Sequence, residues 1–306
     1  MKPVDPRRRR ALRTLALATA GAVVRPAIAA DAMHTRPIPS SGEALPVIGL
    51  GTWQTFDVGG DKAARGPLAE VLQLLVAGDG KLIDSSPMYG SSEAVAGELM
   101  AERKLRDKLF VATKVWTSGR DDGIRQVEAS FKKLRVEHLD LLQVHNLVDV
   151  KTHTRTLQDL KSKGRIRYAG ITHYTASAHA ELARLIGAER YDFLQINYSL
   201  AEPQAERALL PKALERGVAV IVNRPFAEGS LFRKVKGRPL PPWAAELGIH
   251  SWAQYFLKWI VSHPAVTCAI PATSRPGHMR DNLQAGDGPM PDAAQRDRMA
   301  RYLDSL

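Results

Sequence analysis

Apolar residues recur along this chain in short unbroken runs, and between the runs they fall at three- and four-residue intervals. The runs are VIGLGTW (47–53), KLIDSS (81–86), LFVATKV (109–115), LDLLQVH (139–145), IRYAGITH (166–173), FLQINYS (193–199), VAVIVNRPF (218–226) and TCAIPAT (267–273). Near-continuous stretches of β-branched residues and leucine suit parallel strands buried on both faces. The segments between them carry helical stripes. Leu68, Val71, Leu72 and Leu75 make one within Pro67–Val76. Ile124–Leu134, Leu157–Lys163, Ala176–Leu185, Gln204–Glu215 and Ser251–Val261 read likewise, with Thr175 placed to cap the helix that follows it. Eight strand–helix units with no linker-like stretch predict a single-domain α/β fold, the (β/α)8 or TIM barrel. A doubly wound sheet is the alternative. Its G-x-G-x-x-G turn finds only Gly49-Leu50-Gly51 here.

Charge changes the picture at one end. The 306 residues carry a net +11, which would suit nucleic acid or an anionic membrane. Within residues 1–29, however, Lys2, Arg7, Arg8, Arg9, Arg10, Arg13 and Arg25 face only Asp5, so +6 of the excess lies there. The apolar run Thr14–Val24 follows, too short for a bilayer, which needs about 20 residues. Ala27-Ile28-Ala29 then gives a small-x-small cleavage pattern. The reading is a signal peptide over 1–29, cut after Ala29, ahead of a barrel domain over 30–306. Arg9-Arg10-Ala11-Leu12 points to the twin-arginine machinery as a partner, so the protein is expected in the periplasm, exported folded. Neither a nucleic-acid partner nor a stable membrane span is expected. The single cysteine, Cys268, excludes an intramolecular disulfide and any multi-cysteine metal site, and its apolar strand makes it inert packing.

In such a barrel the active site lies at the C-terminal strand ends. Those ends hold Asp84, Lys114, His145, Thr172, His173, Gln195, Asn197, Asn223, Arg224, Ser274 and Arg275, and Tyr89 follows Asp84 in the second loop. Asp84 and Lys114 come from neighbouring strands and are expected to pair. A cation beside Tyr89 is expected to lower its pKa and make it a general acid. His145 is positioned to polarise a substrate oxygen. The set protonates a carbonyl but holds no electron source, so a hydride cofactor is implied. No metal is expected; a metal-dependent hydrolase built on His145 and His173 lacks ligands.

These residues sit in motifs that resemble the aldo-keto reductases across residues 44–285: GLGTWQT, LIDSSPMYGSSE, VATKVW, LDLLQVHN, GRIRYAGITHY, DFLQINYS and IPATSRPGHMRDNL. The resemblance implies reduction of an aldehyde or ketone to an alcohol, or the reverse, with a small carbonyl or alcohol as substrate. It implies NADP(H), with NAD(H) open, bound without a Rossmann domain. The family's tetrad falls on Asp84, Tyr89, Lys114 and His145, with Tyr89 as proton donor. Trp53 and Trp116 match substrate-pocket positions. Thr172, His173 and Gln195 match those that hold the carboxamide, with His173 in place of the usual Asn. Asn223 stands where many members stack a ring on the nicotinamide. Arg224, Pro225, Phe226, Gly229 and Ser230 fall on the loop over the pyrophosphate. Ser274, Arg275, His278 and Asn282 fall on the adenosine-phosphate segment, where Ala272 replaces a common Lys and Arg280 is a further phosphate contact. A noncatalytic nucleotide- or partner-binding subunit on the same barrel is the alternative.

Three other features read as structure. Trp252, Phe256 and Trp259 recur at helical spacing as packing residues. Phe232–Gly248, with three prolines, has the length of a lid or a surface excursion. The sequon Asn197-Tyr198-Ser199 lies in an expected buried strand and is discounted.

Overall fold

The computed structural model describes residues 32–306; the expected signal segment 1–29 lies outside the described residues. A hairpin, β1 (Thr35–Pro37) and β2 (Ala44–Pro46), comes first. Then follow β3 (Leu50–Gly51), α1 (Lys62–Ala77), β4 (Leu82–Asp84), α2 (Ser92–Glu102), β5 (Phe110–Val115) and α3 (Arg120–Leu134). The middle of the chain gives β6 (Leu139–His145), α4 (Val150–Ser162), β7 (Ile166–Thr172), α5 (His179–Ala188), β8 (Phe193–Asn197) and α6 (Leu209–Arg216). The last part gives β9 (Ala219–Asn223), α7 (Ser230–Lys234), α8 (Trp252–Val261), β10 (Val266–Ala269), α9 (Pro276–Gln284) and α10 (Ala293–Asp304).

Strands β3 to β10 form one parallel sheet in chain order, and the bridges Ile48–Ala269 and Gly51–Ala272 join its first and last members. That closure makes a (β/α)8 barrel and rules out the doubly wound alternative. Side chains alternate between the barrel interior and the helix layer. On the inner face the strand starts contribute Leu82, Phe110, Leu141, Tyr168, Phe193 and Ala219, one apolar cluster that Ile38 and Leu45 of the hairpin region join. Counting onward by twos reaches Asp84, Lys114, His145, Thr172, Gln195 and Asn223. The interior is therefore oily at one end and polar at the other. Gly170 serves this layering, because a Cβ there would meet the Phe193 carbonyl at 2.8 Å and Gln143 Cγ at 3.1 Å.

Several local expectations fail for identifiable reasons. Helix α1 starts at Lys62, not Pro67, because Asp61 accepts from the Ala63 and Ala64 amides at 2.9 and 3.2 Å and caps it earlier. Helix α4 begins at Val150 rather than Leu157, on a face carrying polar but buried His153, Thr154 and Thr156. The expected helix Gln204–Glu215 breaks at Ala208, where φ is −147°. Thr175 occupies the cap position, yet its hydroxyl bonds His173 and Ser177, not the helix amides. Phe232–Gly248 is largely exposed, as a surface excursion would be, and is anchored by buried Val235, Ala244 and Leu247 and by Trp243, which packs on Tyr255 and Tyr302. Phe256 and Trp259 are buried and Trp252 stacks on Phe256, as packing residues should. Burial pushes the Cys268 thiol well up, which agrees with an inert role.

Candidate active site

The polar end of the interior is a connected hydrogen-bond network. Lys114, fully buried, donates to Asp84 Oδ2 at 2.6 Å and to the Ser85 carbonyl at 2.7 Å. Asp84 Oδ1 accepts from Gln143 Nε2 at 3.2 Å and Gln195 Nε2 at 3.0 Å. A buried charge pair is tolerable when its remaining valences are filled, and here two amides fill them. Gln195 Oε1 in turn accepts from Thr172 Oγ1 at 3.2 Å and Asn223 Nδ2 at 3.4 Å.

Tyr89 lies between the two ends of the tetrad. Its ring centroid is 5.0 Å from Lys114 Nζ, and it meets the His145 ring edge-on at 5.8 Å. The loop that carries it is clasped from the preceding one: Asp57 accepts from both the amide and the hydroxyl of Ser91 at 2.8 Å. Gly90 lies between them at φ +59°, where a Cβ would stand 2.3 Å from the Asp57 carboxylate. Only glycine fits that turn.

The electrostatics correct one expectation. Burial raises the Tyr89 pKa above the usual 10, outweighing the nearby Lys114 ammonium, which acts to lower it. The cation moderates the phenol without turning it into a phenolate, so the ring stays protonated through neutral pH. Burial also opposes the charge on Lys114, but Asp84 holds its pKa above the ordinary lysine value. His145 is lowered to about 2 by burial and by Lys114 and His173, so it is a neutral imidazole. Its Nδ1 sits 3.0 Å from Ser86 Oγ.

The other anticipated residues lie at the end of β9, on the loops beyond the strands, and on α7 and α9. Trp53 and Trp116 are exposed at 43% and 40%, and Gln126 holds the Trp116 backbone through its N–H and C=O. His173 stacks face to face on Tyr174 at 5.3 Å. Asn223 donates toward the His173 carbonyl and Gln195 and leaves a buried Oδ1 with no partner. Arg224, at φ +49°, donates to the Tyr174 carbonyl at 2.8 Å and lies 3.6 and 3.4 Å from Glu202 and Glu228. Pro225 follows it, and the Phe226 ring packs on Phe232 and Phe256. Gly229, at φ +79°, precedes Ser230, the first residue of α7. Ser274, Arg275 and His278 are exposed at the start of α9, while Asn282 is buried on its inner side. Arg280 is paired with Glu70 at 2.7 Å. Among the described residues no group of three His, Cys, Asp or Glu side chains is placed to hold a metal ion.

Two members of the network escaped sequence reasoning. Ser86 and Gln143 share the inward side of Asp84 and His145, and the two-residue spacing is the signal that carries them.

Known proteins are similar to this chain in sequence and fold. The sequence model described as the aldo/keto reductase family matches residues 47–297. Methylglyoxal reductase YeaE of Escherichia coli is 30% identical over 259 residues, 82% of this chain and 89% of the relative. Methylglyoxal reductase DkgB of Yersinia pestis is 27% identical over 79% of this chain and 87% of its own length. An aldo-keto reductase from Klebsiella pneumoniae, solved in complex with NADPH, superposes with a TM-score of 0.75 at 26% identity, covering 89% of this chain and 96% of that one.

Proposed function

The chain belongs to the aldo/keto reductase family, and on that premise we propose that it is an NADP(H)-dependent reductase of small aldehydes and ketones. The observation that carries this reading is the Asp84–Lys114–Tyr89–His145 cluster at the polar end of the barrel. Two relatives are named for methylglyoxal, so short α-oxoaldehydes lead the substrate panel.

The residues present fit the nucleotide. Asn223 Oδ1 is a buried acceptor without a partner, and an amide N–H2 would satisfy it. Arg275 stands exposed at the start of α9, where a 2′-phosphate would want an arginine. Thr172, His173, Gln195 and Asn223 would hold the carboxamide, and Arg224 through Ser230 would cover the pyrophosphate, with Arg224 leaving its carboxylate partners to do so. Ser274, Arg275, His278 and Asn282 would hold the adenosine phosphate. When bound, the reduced nucleotide supplies a hydride to the carbonyl carbon. Tyr89 gives its phenolic proton to the carbonyl oxygen, and Lys114 steadies the phenolate that results. Asp84 keeps Lys114 charged and in place. His145, neutral, donates a hydrogen bond that orients the same oxygen. Trp53 and Trp116 wall the pocket and exclude water.

We further propose export through the twin-arginine machinery to the periplasm, with nucleotide held tightly through transit. This rests on Arg9, Arg10 and the Ala27–Ala29 pattern. Purified mature protein should release NADP(H) on denaturation, identified by mass spectrometry, and should oxidise NADPH in the presence of methylglyoxal. A mature protein that binds no nucleotide, or that turns over no carbonyl on the panel, would sink the reading.

A further inference from the structure

The Ser86 hydroxyl is fully buried, 3.0 Å from His145 Nδ1 and 3.3 Å from the Met88 amide nitrogen. The amide can only donate, so it takes one lone pair of Oγ. The hydroxyl hydrogen then needs an acceptor, and the ring nitrogen is the acceptor in reach. Were Nδ1 protonated instead, two donors would point at one oxygen and the hydroxyl hydrogen would be left without an acceptor in a buried site. Such an orphan is disfavoured, because the desolvation of a buried donor is left uncompensated. The opposite ring nitrogen, Nε2, makes no hydrogen bond to another described residue and is not among the fully buried unpartnered atoms, so it is open to a substrate.

From this geometry we propose that Ser86 is a positioning residue that sets the tautomer of His145. It donates to Nδ1, which places the single imidazole proton on Nε2. This deepens the reductase reading, because it is Nε2–H that would donate to the carbonyl oxygen. The other tautomer would present a lone pair to that oxygen and repel it. The backbone supplies the direction of the relay: Met88 N–H to Ser86 Oγ, Ser86 O–H to His145 Nδ1, His145 Nε2–H outward. Met88 immediately precedes Tyr89, so one short turn holds the proton donor and orients its partner.

The test is 15N-histidine NMR of the whole protein, with His145 assigned by its loss in His145→Gln. The wild type should show His145 with a protonated Nε2 and an unprotonated, hydrogen-bonded Nδ1. In Ser86→Ala the Nδ1 resonance should move toward that of a free imidazole nitrogen. Carbonyl reduction should fall roughly tenfold, mostly in kcat, while NADPH affinity read by fluorescence stays within about twofold. Ser86→Thr, which keeps the hydroxyl, should restore both the Nδ1 resonance and kcat. A wild-type His145 carrying its proton on Nδ1 overturns the proposal, as does a Ser86→Ala protein with wild-type resonances and rate. Because the tautomer is read without turnover, a protein that reduces no carbonyl would defeat the functional reading alone.

Discussion

Gln195 reaches across the barrel to donate to Asp84 Oδ1 at 3.0 Å, although their strands, β8 and β4, stand four apart in an eight-stranded ring. One amide therefore ties the proton-transfer side of the site to the Thr172–Asn223 side proposed to hold the carboxamide. The Asp84 carboxylate, an obligate acceptor, also dictates which way that amide faces. Gln195 must present Nε2 to Asp84, so its Oε1 is left to Thr172 and Asn223.

Gln195→Leu should disturb both halves at once. It removes a donor to a buried carboxylate and an acceptor for two neighbours. The expected outcome is NADPH binding weakened by roughly tenfold, about 1.4 kcal/mol, together with a lower kcat. Fluorescence titration and steady-state rates measure these separately. A change confined to binding would show that the cross-barrel bond carries no coupling.

Lys114→Met should cost stability as well as rate. It leaves Asp84 buried and charged with only Gln143 and Gln195 as donors. Breaking a buried pair costs about 3–5 kcal/mol, and the remaining amides place this case near the lower end. Urea unfolding would register it. Lys114→Met with Asp84→Leu should recover part of the loss, since no unpaired charge then remains; a double variant less stable than either single one contradicts the argument.

Tyr89→Phe should fold normally and lose activity by about 10²–10⁴-fold, the usual worth of a positioned acid. The pH profile follows from the same residue. Tyr89 is raised above 10 and His145 is lowered to about 2, so neither titrates between pH 5 and 9. The rate of carbonyl reduction should be flat across that range and fall only in strong alkali. An acid limb near pH 6.5 that persists in His173→Asn would mean that His145 ionises in the working enzyme.

Acid should destabilise the fold before it stops the chemistry. An unfolded histidine takes a proton near pH 6.5, whereas folded His145 refuses it down to about 2 and His263 down to about 4. Across those windows the unfolded state binds more protons, so stability is full above pH 6.5 and is lost as pH falls. The slope is up to about 1.4 kcal/mol per pH unit for each withheld proton. Glu93, raised by burial, works in the opposite sense and shallows the curve. Urea midpoints at pH 7 and pH 5 should fall in the wild type and fall less in His145→Gln. Equal slopes in the two proteins would remove His145 from this role.

The barrel was legible in the chain because its strands are buried on both faces. Burial writes unbroken apolar runs into the sequence, and the polar residue ending each run marks the open end. Asp84, Lys114 and His145 could be found that way, and their motifs named the family. Short amphipathic elements were less visible. Helix α2 places Glu93 and Ser92 in a buried layer, and the N-terminal hairpin is only three residues a strand, so neither shows a clean period. What the chain alone determined is where the strands run and which polar residues end them, since burial on both faces is written locally into each strand. What only the tertiary structure decided is which of them touch. Closing the ring brought Gln195 to Asp84 and Ser86 to His145, and burial overrode the lysine that lies beside Tyr89. Pairing across a barrel and the loss of solvent around a phenol are both products of closure, and no window along the sequence contains them.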